Sequence, residues 1–357
     1  MIVGLMKLLI VACLIVLPGT AAAAKPVVAS ACYRAADAVP CFIAAAKLKL
    51  KQVTRGDDRA DAVGEILYTL AATNGRDAAM VQAATELAAS RAVRPVKQMD
   101  LFYALDLYAS AADTSAQPTY VAALGRFAAL EKELKGNAQV ELYVNACSII
   151  AWQEPFGERW HDFARSVCAP AKLQALKPDN GVYQALLLAM LPVAATLAAD
   201  RDAFAASTDY ALLWLHASEK AAAKSKKGGD KDFVAFIGVL IHTMNSLCLD
   251  AFDEPDAADD EIDVSLKVLR RMELRVGVSG RSTPLRRQVV ESLFYTGREA
   301  AAKEMLGQML KRVDGDTAGR VIPFAEQIAI LLLAAKLEYD ERHDSERLCV
   351  PDGGVEI

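Results

Sequence analysis

The sequence predicts an all-α protein in which antiparallel helical hairpins stack into a right-handed superhelix, an α-solenoid. Three observations favour this fold class: apolar residues recur at helical spacing, alanine and leucine are abundant, and β-branched runs between turns are scarce. Alanine, leucine and lysine have high helix propensity, whereas strands are rich in β-branched and aromatic residues. Aromatic residues make up only 7% of the chain, which also disfavours a sheet.

The first 24 residues have the layout of a secretory signal peptide. Lys7 supplies a positive charge, residues 8–17 form a short apolar core, and residues 22–24 are the small residues that a signal peptidase recognises. The apolar core is too short to span a bilayer of about 30 Å. We therefore expect cleavage near Ala24 and a mature protein that is periplasmic or secreted.

Two alternatives for this segment stay open. Residues 10–13 resemble a lipobox, which would place a lipid on Cys13. Few apolar residues separate Lys7 from Cys13, and the apolar run continues after the cysteine, so lipidation is disfavoured. An uncleaved membrane anchor is disfavoured by the length of the apolar run.

Length and charge restrict the classes of protein and partner. Loss of Lys7 changes the formal net charge from −5 for the whole chain to −6 for the mature one. A nucleic-acid-binding protein would carry a basic stripe, so we expect no nucleic-acid partner. A mature chain of about 333 residues is long for one compact core, which favours two domains or one elongated repeat array.

The cysteine count is compatible with disulfide bonds. Six of the seven cysteines follow the signal segment, and an even number in an oxidising compartment permits up to three disulfides. The simplest pairs are local, Cys32 with Cys41 and Cys147 with Cys168, and each would join two neighbouring helices. The alternative is that some of these cysteines are small buried residues. No C-x-x-C spacing indicates a zinc knuckle or a redox pair.

A helical hairpin pattern recurs along the chain. Apolar residues at i, i+3, i+4 and i+7 mark one face of a helix, and seven such patterns begin near residues 63, 101, 140, 183, 233, 289 and 325. Partner helices with the same spacing lie at residues 80–88, 121–129, 160–168 and 302–310. Turn residues separate the two helices of each pair: Asn74-Gly75, Gln117-Pro118, residues 155–157 and Gly297.

These hairpins predict a repeat architecture. The first three patterns begin 38 and 39 residues apart, and the last pair, counted from residues 290 and 325, is 35 apart. Two antiparallel helices cannot bury both apolar faces alone, whereas hairpins stacked end to end can. We therefore expect a curved stack of about seven hairpins.

One stretch resembles the tetratricopeptide-repeat (TPR) superfamily most closely, through Val289, Val290, Leu293, Gly297, Ala302, Leu306 and Met309. Gly297 lies in the turn, and Ala302 follows where that family places a small residue between the two helices. The match is close over residues 284–313 and extends over 58–343 only as a pattern, because the other units are longer and lack the usual aromatic and proline positions. The resemblance implies a TPR-like superhelix whose concave surface binds a peptide or protein, without catalysis.

The predicted organisation has three parts. Residues 1–24 are the signal peptide, residues 25–348 form the helical-repeat region, and residues 349–357 are a tail expected to be disordered unless Cys349 holds it. Residues 170–181 are a candidate boundary between two halves of the repeat region, because they are polar and contain proline and glycine.

Three further segments stand out by composition. Residues 220–231 are basic and residues 253–263 are acidic; we interpret both as solvent-exposed connections, with opposite charges that flank one hairpin and could lie near each other. Residues 182–199 are almost continuously apolar. Gln184 and Pro192 disfavour a membrane span there, so we expect a buried central helix and no membrane span in the mature chain.

No catalytic, metal or cofactor motif appears. Only four histidines are present, none at i, i+4 spacing, and we expect His216 and His242 to be buried, hydrogen-bonded structural residues. The acidic residues 253–263 and residues 314–319 do not match an EF-hand, because the first lacks the glycine and the second places alanines at ligand positions. No nucleophile elbow, P-loop or dinucleotide fingerprint is found. We therefore expect no cofactor, metal or catalytic residue.

The leading functional hypothesis is an exported interaction or scaffold protein that binds a protein or cell-envelope partner. Tyr103, Tyr120 and Trp152 are candidate exposed contacts on its surface, with packing as the alternative for each. The second hypothesis is an exported cell-wall hydrolase or lyase in which an acid such as Glu154 acts as general acid. A structural subunit of an envelope assembly is the third, and the oligomeric state is left open.

Overall fold

The computed structural model describes residues 28–111, 117–152, 163, 166–198, 200–225, 227–277 and 282–343. The signal segment and the C-terminal tail lie outside these ranges. Regular structure within them is entirely helical, so the predicted all-α class is confirmed. After a 3-10 helix at Ala29–Arg34 come α1 (Ala38–Leu50), α2 (Gly56–Ala72), α3 (Ala78–Ala88), α4 (Pro95–Ala111), α5 (Gln117–Glu133), α6 (Gly136–Trp152), α7 (Pro170–Ala175), α8 (Gly181–Leu197), α9 (Arg201–Lys224), α10 (Gly228–Ala251), α11 (Pro255–Val276), α12 (Thr283–Tyr295), α13 (Glu299–Gly315) and α14 (Phe324–His343).

The ends of α2 and α12 show how local sequence sets the hairpins. Gly297 has φ 82°, and the N–H of Arg298 reaches back to the Leu293 carbonyl at 2.7 Å. Asn74 has φ 52°, and the N–H of Gly75 donates to the Leu70 carbonyl at 2.7 Å. A left-handed residue with this returning bond ends a helix and satisfies a terminal carbonyl. The predicted turns at Asn74-Gly75 and Gly297 are confirmed, whereas Gln117 begins α5 and residues 155–157 lie outside the described residues.

Seven helices form an inner layer in which each contacts the next: α2, α4, α6, α8, α10, α12 and α14. These helices contain the seven apolar patterns that the sequence analysis identified. An outer layer covers them, because α3, α5, α9, α11 and α13 each contact two successive inner helices. Serial packing of hairpins is therefore present in the described part of the chain.

The N-terminal segment connects the two ends of this series. Helix α14 contacts α2, and α1 packs against both α14 and α2 in the position of an outer helix. The preceding 3-10 helix contacts α13, where the Asp314 carboxylate accepts N–H bonds from Ala29 and from Ser30, the latter at 2.9 Å. The helix contacts thus form a closed circuit rather than a series with two separate ends. We call residues 29–50 and 314–327 the closing seam.

Small residues set the spacing between the helices. Ala46, Ala104, Ala146 and Ala302 are completely buried on α1, α4, α6 and α13. A side chain that ends at Cβ allows neighbouring helix backbones to approach, while the larger Leu, Ile and Phe side chains fill the remaining space. The high alanine content of the sequence is therefore used in helix–helix contacts as well as for helix propensity.

The acidic residues 253–263 do not form a loop, so that prediction is wrong. Helix α11 begins at Pro255, and most of the acidic run lies in its first turns. Proline is favoured at the first helical position, and acidic side chains near a helix N-terminus interact favourably with the helix dipole. Asp253 precedes the helix with φ 58°.

The basic and acidic segments, which could have been near each other, are far apart. The basic segment ends α9 at Lys224 and begins α10, whereas the acidic segment follows the other end of α10. Helix α10 has 24 residues. At 1.5 Å per residue it separates its two ends by roughly 36 Å.

Residues 182–199 give a buried helix, as expected. Helix α8 has Ala185 and every residue from 187 to 196 buried. In the described ranges one helix, α10, is long and apolar enough to cross a membrane. Within the 18-residue stretch of α10 that meets this criterion, 72% of the residues are buried inside the fold. The core helix of a soluble protein has the same character, so this single helix is weak support for a span.

Candidate functional site

A polar cavity lies between the inner helices. Its volume is about 310 Å³, and five of these helices contribute its lining: Ala60, Asp61, Ala62, Gly64, Glu65 and Tyr68 from α2, Lys97 and Asp100 from α4, Asn145 from α6, Arg287 from α12, and Ala325, Glu326 and Ala329 from α14. A smaller lobe of about 50 Å³ shares Glu65, Tyr68, Arg287 and Ala329 with it and also contacts Glu291 and Lys336.

The two faces of α2 explain how polar side chains reach this interior. Val63, Leu67 and Leu70 are buried on one side of the helix. Asp61 and Glu65, which are four residues apart, lie on one face because residues at i and i+4 share a face of an α-helix. The small lining residues of α2 and α14 leave space in front of these carboxylates, and this space is the cavity.

Lys97 joins two carboxylates from different helices. Its Nζ lies 3.0 Å from Asp61 Oδ1 and 3.5 Å from Asp100 Oδ2. These two carboxylate oxygens are therefore at most 6.5 Å apart, the sum of those distances. The amide of Asn145 donates to both oxygens of Asp100, at 3.2 and 3.0 Å. The Tyr68 hydroxyl donates to the main-chain carbonyl of Asp100 at 3.1 Å.

Burial changes the protonation of this group. It raises the pKa of Asp100 to about 7, with a smaller rise from Asp61, against the opposing effects of Lys97 and Asn145. Burial also raises the pKa of Asp61 despite Lys97. The pKa of Lys97 itself is raised because Asp100 and Asp61 outweigh the lowering effect of burial. Asp100 is therefore a carboxyl group that can hold or release a proton near neutral pH.

The other side of the cavity carries a second charged group. Arg287 Nε donates to Glu326 Oε1 at 2.7 Å. Burial lowers the pKa of Arg287, but the surrounding carboxylates raise it by more, and Glu326 makes the largest contribution among them. Burial raises the pKa of Glu65 even though Arg287 lowers it. Within the described ranges, no side chain or main-chain N–H donates a hydrogen bond to the Glu65 carboxylate.

A third polar group links the N-terminal parts of four consecutive inner helices. Arg94, just before α4, donates to both carboxylate oxygens of Glu141 on α6, at 2.9 and 3.1 Å, and also pairs with Asp57 on α2. The Tyr183 hydroxyl on α8 lies 3.4 Å from Glu141. Burial, followed by the charge of Glu141, raises the pKa of Tyr183. These contacts show that the N-terminal parts of α2, α4, α6 and α8 lie at one side of the inner layer.

The lining of the main cavity has an excess of acidic groups. Four carboxylates, Asp61, Glu65, Asp100 and Glu326, face two cations, Lys97 and Arg287. Such an arrangement can bind a positively charged group or move a proton through Asp100. In the part of the chain that the structure describes, no group of three or more His, Cys, Asp or Glu side chains could hold a metal ion.

The four predicted disulfide cysteines lie in two pairs at bonding distance. Cys32 pairs with Cys41, with Cα atoms 5.5 Å apart, and joins the 3-10 helix to α1. Cys147 pairs with Cys168, with Cα atoms 5.6 Å apart, and joins α6 to the segment before α7. Both pairs lie outside the polar cavity. Cys248 is buried, which agrees with the alternative that some of the cysteines are small buried residues.

Two of the three aromatic candidates for an exposed contact surface are not exposed. Tyr103 is completely buried, and Tyr120 is half-buried against the core. Tyr103 is a core residue because its ring lies on the packed side of α4. The centroid of this ring is 6.4 Å from that of the Phe163 ring. The side chain of Trp152 and residue Glu154 lie outside what the structure describes.

The histidine predictions have mixed outcomes. His242 is half-buried and pairs with Glu261, in agreement with a structural role. His216 is exposed on α9, so the prediction that it is buried is wrong. Its neighbour Leu215 faces the core instead, because successive helical residues point in different directions.

Residues 314–319 also have a structural role. In addition to the Asp314 bonds described above, Asp316 accepts N–H bonds from Arg320, Val321 and Ile322 at 2.9, 2.8 and 2.7 Å. These carboxylates satisfy main-chain donors, which agrees with the rejection of this segment as an EF-hand.

The cavity residues Asp61, Glu65, Lys97 and Asp100 were not predicted from the sequence. Charged residues opposite an apolar helix stripe are ordinarily interpreted as a solvent-exposed face. A usable signal existed, because the polar positions 57, 61 and 65 recur at intervals of four along one face of α2. That signal indicates a polar face but not that other helices cover it.

Comparison with known protein families, curated proteins and solved structures found no match for this chain. The fold and the site together define an all-helical protein with a polar cavity between serially packed inner helices. No family match confirms the TPR resemblance.

Proposed function

We propose that this protein is an exported interaction protein whose polar cavity receives part of a protein or cell-envelope partner. One observation carries the proposal: four separate inner helices bring charged side chains, and a fifth brings the Asn145 amide, into one cavity. Partly buried charges cost desolvation free energy, and apolar residues of similar size would stabilise a fold at least as well. Their presence is accounted for if they bind a ligand group.

Export is supported by two independent features. Residues 1–24 have the layout of a signal peptide. Two cysteine pairs lie at disulfide distance, and disulfides persist mainly in oxidising compartments. We therefore place the protein in the periplasm or outside the cell.

We propose a TPR-like character for the hairpins but a different binding surface. The complete burial of Ala302 and the turn at Gly297 support a TPR-like unit within residues 284–313. The contacts of α14 with α1 and α2, however, bring the two ends of the series together. The polar cavity between the inner helices, rather than a long concave surface, is our proposed binding site.

A second candidate function is an exported hydrolase or lyase that acts on cell-wall glycans. The carboxylates of Asp61 and Asp100 favour it, because their Lys97-bound oxygens are at most 6.5 Å apart and the Asp100 pKa is about 7. Glycoside hydrolysis ordinarily uses two carboxyl groups no more than about 9 Å apart, one of which donates a proton. In this alternative Asp100 takes the general-acid role that the sequence analysis gave to Glu154.

Site-specific photocrosslinking in the native envelope tests the interaction proposal. A photoreactive residue at Ala325 would lie in the cavity lining, and one at Val121, which is 55% exposed on the outer helix α5, is the control. We expect a discrete partner adduct from position 325 alone, with helicity checked by circular dichroism. Identical adducts from both positions, or none from position 325, would contradict the proposal.

The enzyme alternative is tested by incubating the exported protein with purified cell-wall glycan. Release of soluble fragments by the unmodified protein, and its loss in Asp100→Asn, would favour the enzyme over the interaction protein. Exposed Asp260→Asn on α11 is the matched control. The interaction proposal expects no fragment release from any of the three proteins.

A further inference from the structure

We infer that the polar cavity binds an organic cation of side-chain size, a protonated alkyl amine or a guanidinium group. The inference rests on the proposed function and specifies the chemistry of the group that enters. It follows from the charges of the lining, from the position of Glu65 and from the size of the cavity.

The charges of the lining favour a positive ligand. The main cavity has two more carboxylates than cations. Both cations are already bonded to acidic partners, Lys97 to Asp61 and Asp100 and Arg287 to Glu326. In the smaller lobe, Glu291 and Lys336 add one charge of each sign and leave the excess unchanged. Above about pH 7, where Asp100 is ionised, an anionic ligand would meet this excess directly, whereas a cation would reduce it.

Glu65 is the lining group best placed to receive such a cation. It contributes to both lobes of the cavity, and the described residues give its carboxylate no hydrogen-bond donor. Ionised carboxylates in partly buried places ordinarily accept several hydrogen bonds. The rise in the pKa of Glu65, Asp61 and Asp100 through burial agrees with incomplete compensation of their charges.

The size of the cavity limits the ligand to one side-chain-like group. About 310 Å³ is at the lower end of the range for small-molecule pockets. Ala60, Ala62, Gly64, Ala325 and Ala329 form the apolar part of the lining and suit a short alkyl chain. A linear alkyl amine or alkyl guanidine combines such a chain with one cationic end. Both groups also occur at the end of the lysine and arginine side chains, and the interaction proposal requires a partner that could present one.

Calorimetric titration of the full exported protein tests the inference. The probes are n-butylammonium and n-butylguanidinium, with n-butanol and butyrate as neutral and anionic compounds of similar length. We expect both cations to bind at one competing site and the two controls not to bind. The tighter of the two cations identifies the preferred end group, since a guanidinium bonds carboxylates in a planar bidentate manner and an ammonium does not.

Two conservative variants and one matched control localise the binding. Glu65→Gln should weaken cation binding at least tenfold, and Asp61→Asn provides a second test if the first variant fails to fold. Glu86→Gln makes the same chemical change at an exposed position on the outer helix α3 and should leave the affinity unchanged. Equal binding of butyrate, no binding of either cation, or unchanged affinity in both cavity variants would overturn the inference.

The two proposals fail in distinguishable ways. If neither cation binds but position 325 still gives its discrete adduct, the cation inference is wrong and the interaction proposal stands. If the cations bind and the cavity variants lower the affinity for them, the cation inference stands. If no protein adduct forms in that case, the interaction proposal alone is wrong.

Discussion

Carboxylates in the closing seam and in the polar cavity have opposite environments. In the seam, Asp314 and Asp316 accept five main-chain N–H bonds between them. Burial alone would raise the pKa of Asp316, but the N–H donors of Ile322, Val321 and Arg320 lower it. In the cavity, burial prevails and raises the pKa of Asp61, Glu65 and Asp100.

This difference means that carboxylates in the closing seam stabilise the fold, whereas carboxylates in the polar cavity destabilise it. A carboxylate that satisfies several N–H donors is favoured in its charged form and stabilises the folded state above its pKa. A carboxylate whose hydrogen bonds and ion pairs do not outweigh the effect of burial is disfavoured in that form and destabilises the folded state at neutral pH. Variants in both regions test this contrast.

The largest expected effect is a pH dependence that Asp100→Asn removes. The pKa of Asp100 is about 7 in the folded protein and near 4 when unfolded, so the folded state binds the proton more tightly between these values. Its contribution to stability is present below about pH 4 and is lost as the pH rises through 7, by at most about 4 kcal/mol.

Urea unfolding between pH 4.5 and 8 measures this effect. We expect the free energy of unfolding to fall more steeply with rising pH in the unmodified protein than in Asp100→Asn. The pKa values of Asp316 and Asp57 are lowered, so these groups change the stability with pH only below about pH 4. They therefore do not contribute to the slope between about pH 4.5 and 8. Parallel curves for the two proteins would contradict the assignment.

The second prediction concerns the disulfide in the closing seam. Replacing Cys32 and Cys41 by serine should reduce the free energy of unfolding by about 3 kcal/mol, because the bond closes a short loop in the unfolded chain. These residues connect the 3-10 helix to α1 and lie outside the cavity, so butylammonium binding by the folded protein should not change. Thermal unfolding measures the first effect and calorimetry the second.

Reductant provides the internal control for this variant. Reduction should lower the melting temperature of the unmodified protein by more than that of the double-serine variant, which keeps just one of the two described disulfides, the Cys147–Cys168 pair. An equal effect on both proteins would show that the pair at positions 32 and 41 does not stabilise the seam.

The third prediction is a loss of about 2 kcal/mol in Asp316→Ala, because three main-chain N–H groups lose their acceptor. Exposed Asp260→Ala on α11 is the control, with little change expected. The lowered pKa gives Asp316 a stabilising effect above about pH 4 that is lost as the pH falls, the reverse of Asp100. Chemical unfolding of both variants at pH 7 and 3 tests the size and the sign.

The smallest expected effect is a gain of about 1 kcal/mol or less in Glu65→Gln at pH 7.5. The neutral amide has nearly the shape of the carboxylate and removes an ionised group whose pKa burial raises. The same urea experiment measures it. A clear loss of stability would place Glu65 with the structural carboxylates of the seam and would end the contrast between the two regions at that residue.

Helix α2 shows how far the sequence reaches. Val63, Leu67 and Leu70 predict a helix with one packed face, and all three are buried. The same periodicity assigns Asp61 and Glu65 to the other face but does not indicate what covers that face. Whether that face is solvent-exposed or lines a cavity depends on contacts between helices distant in sequence, and local spacing has no information on such contacts.

The disulfide pair and the helix contacts in the closing seam also show that the sequence predicts contacts between nearby residues better than contacts between distant ones. Cys32 and Cys41 are nine residues apart, so their pairing was accessible from the sequence. The contact between α1 and α14 joins the beginning of the described chain to its end, and nothing in the apolar spacing of either helix specifies its partner. The acidic start of α11 was within reach, since Pro255 followed by carboxylates is typical of a helix N-terminus.

The packing of α1 between α14 and α2 has a consequence for how this architecture can change in evolution. An array with free ends can gain or lose a hairpin at little cost, because each unit contacts only its neighbours. Here the docking of the first helix against the last fixes the circumference, so inserting or deleting one unit would leave that docking site misaligned. The number of hairpins is therefore held constant by geometry, and diversification is confined to side chains and to the loops between them.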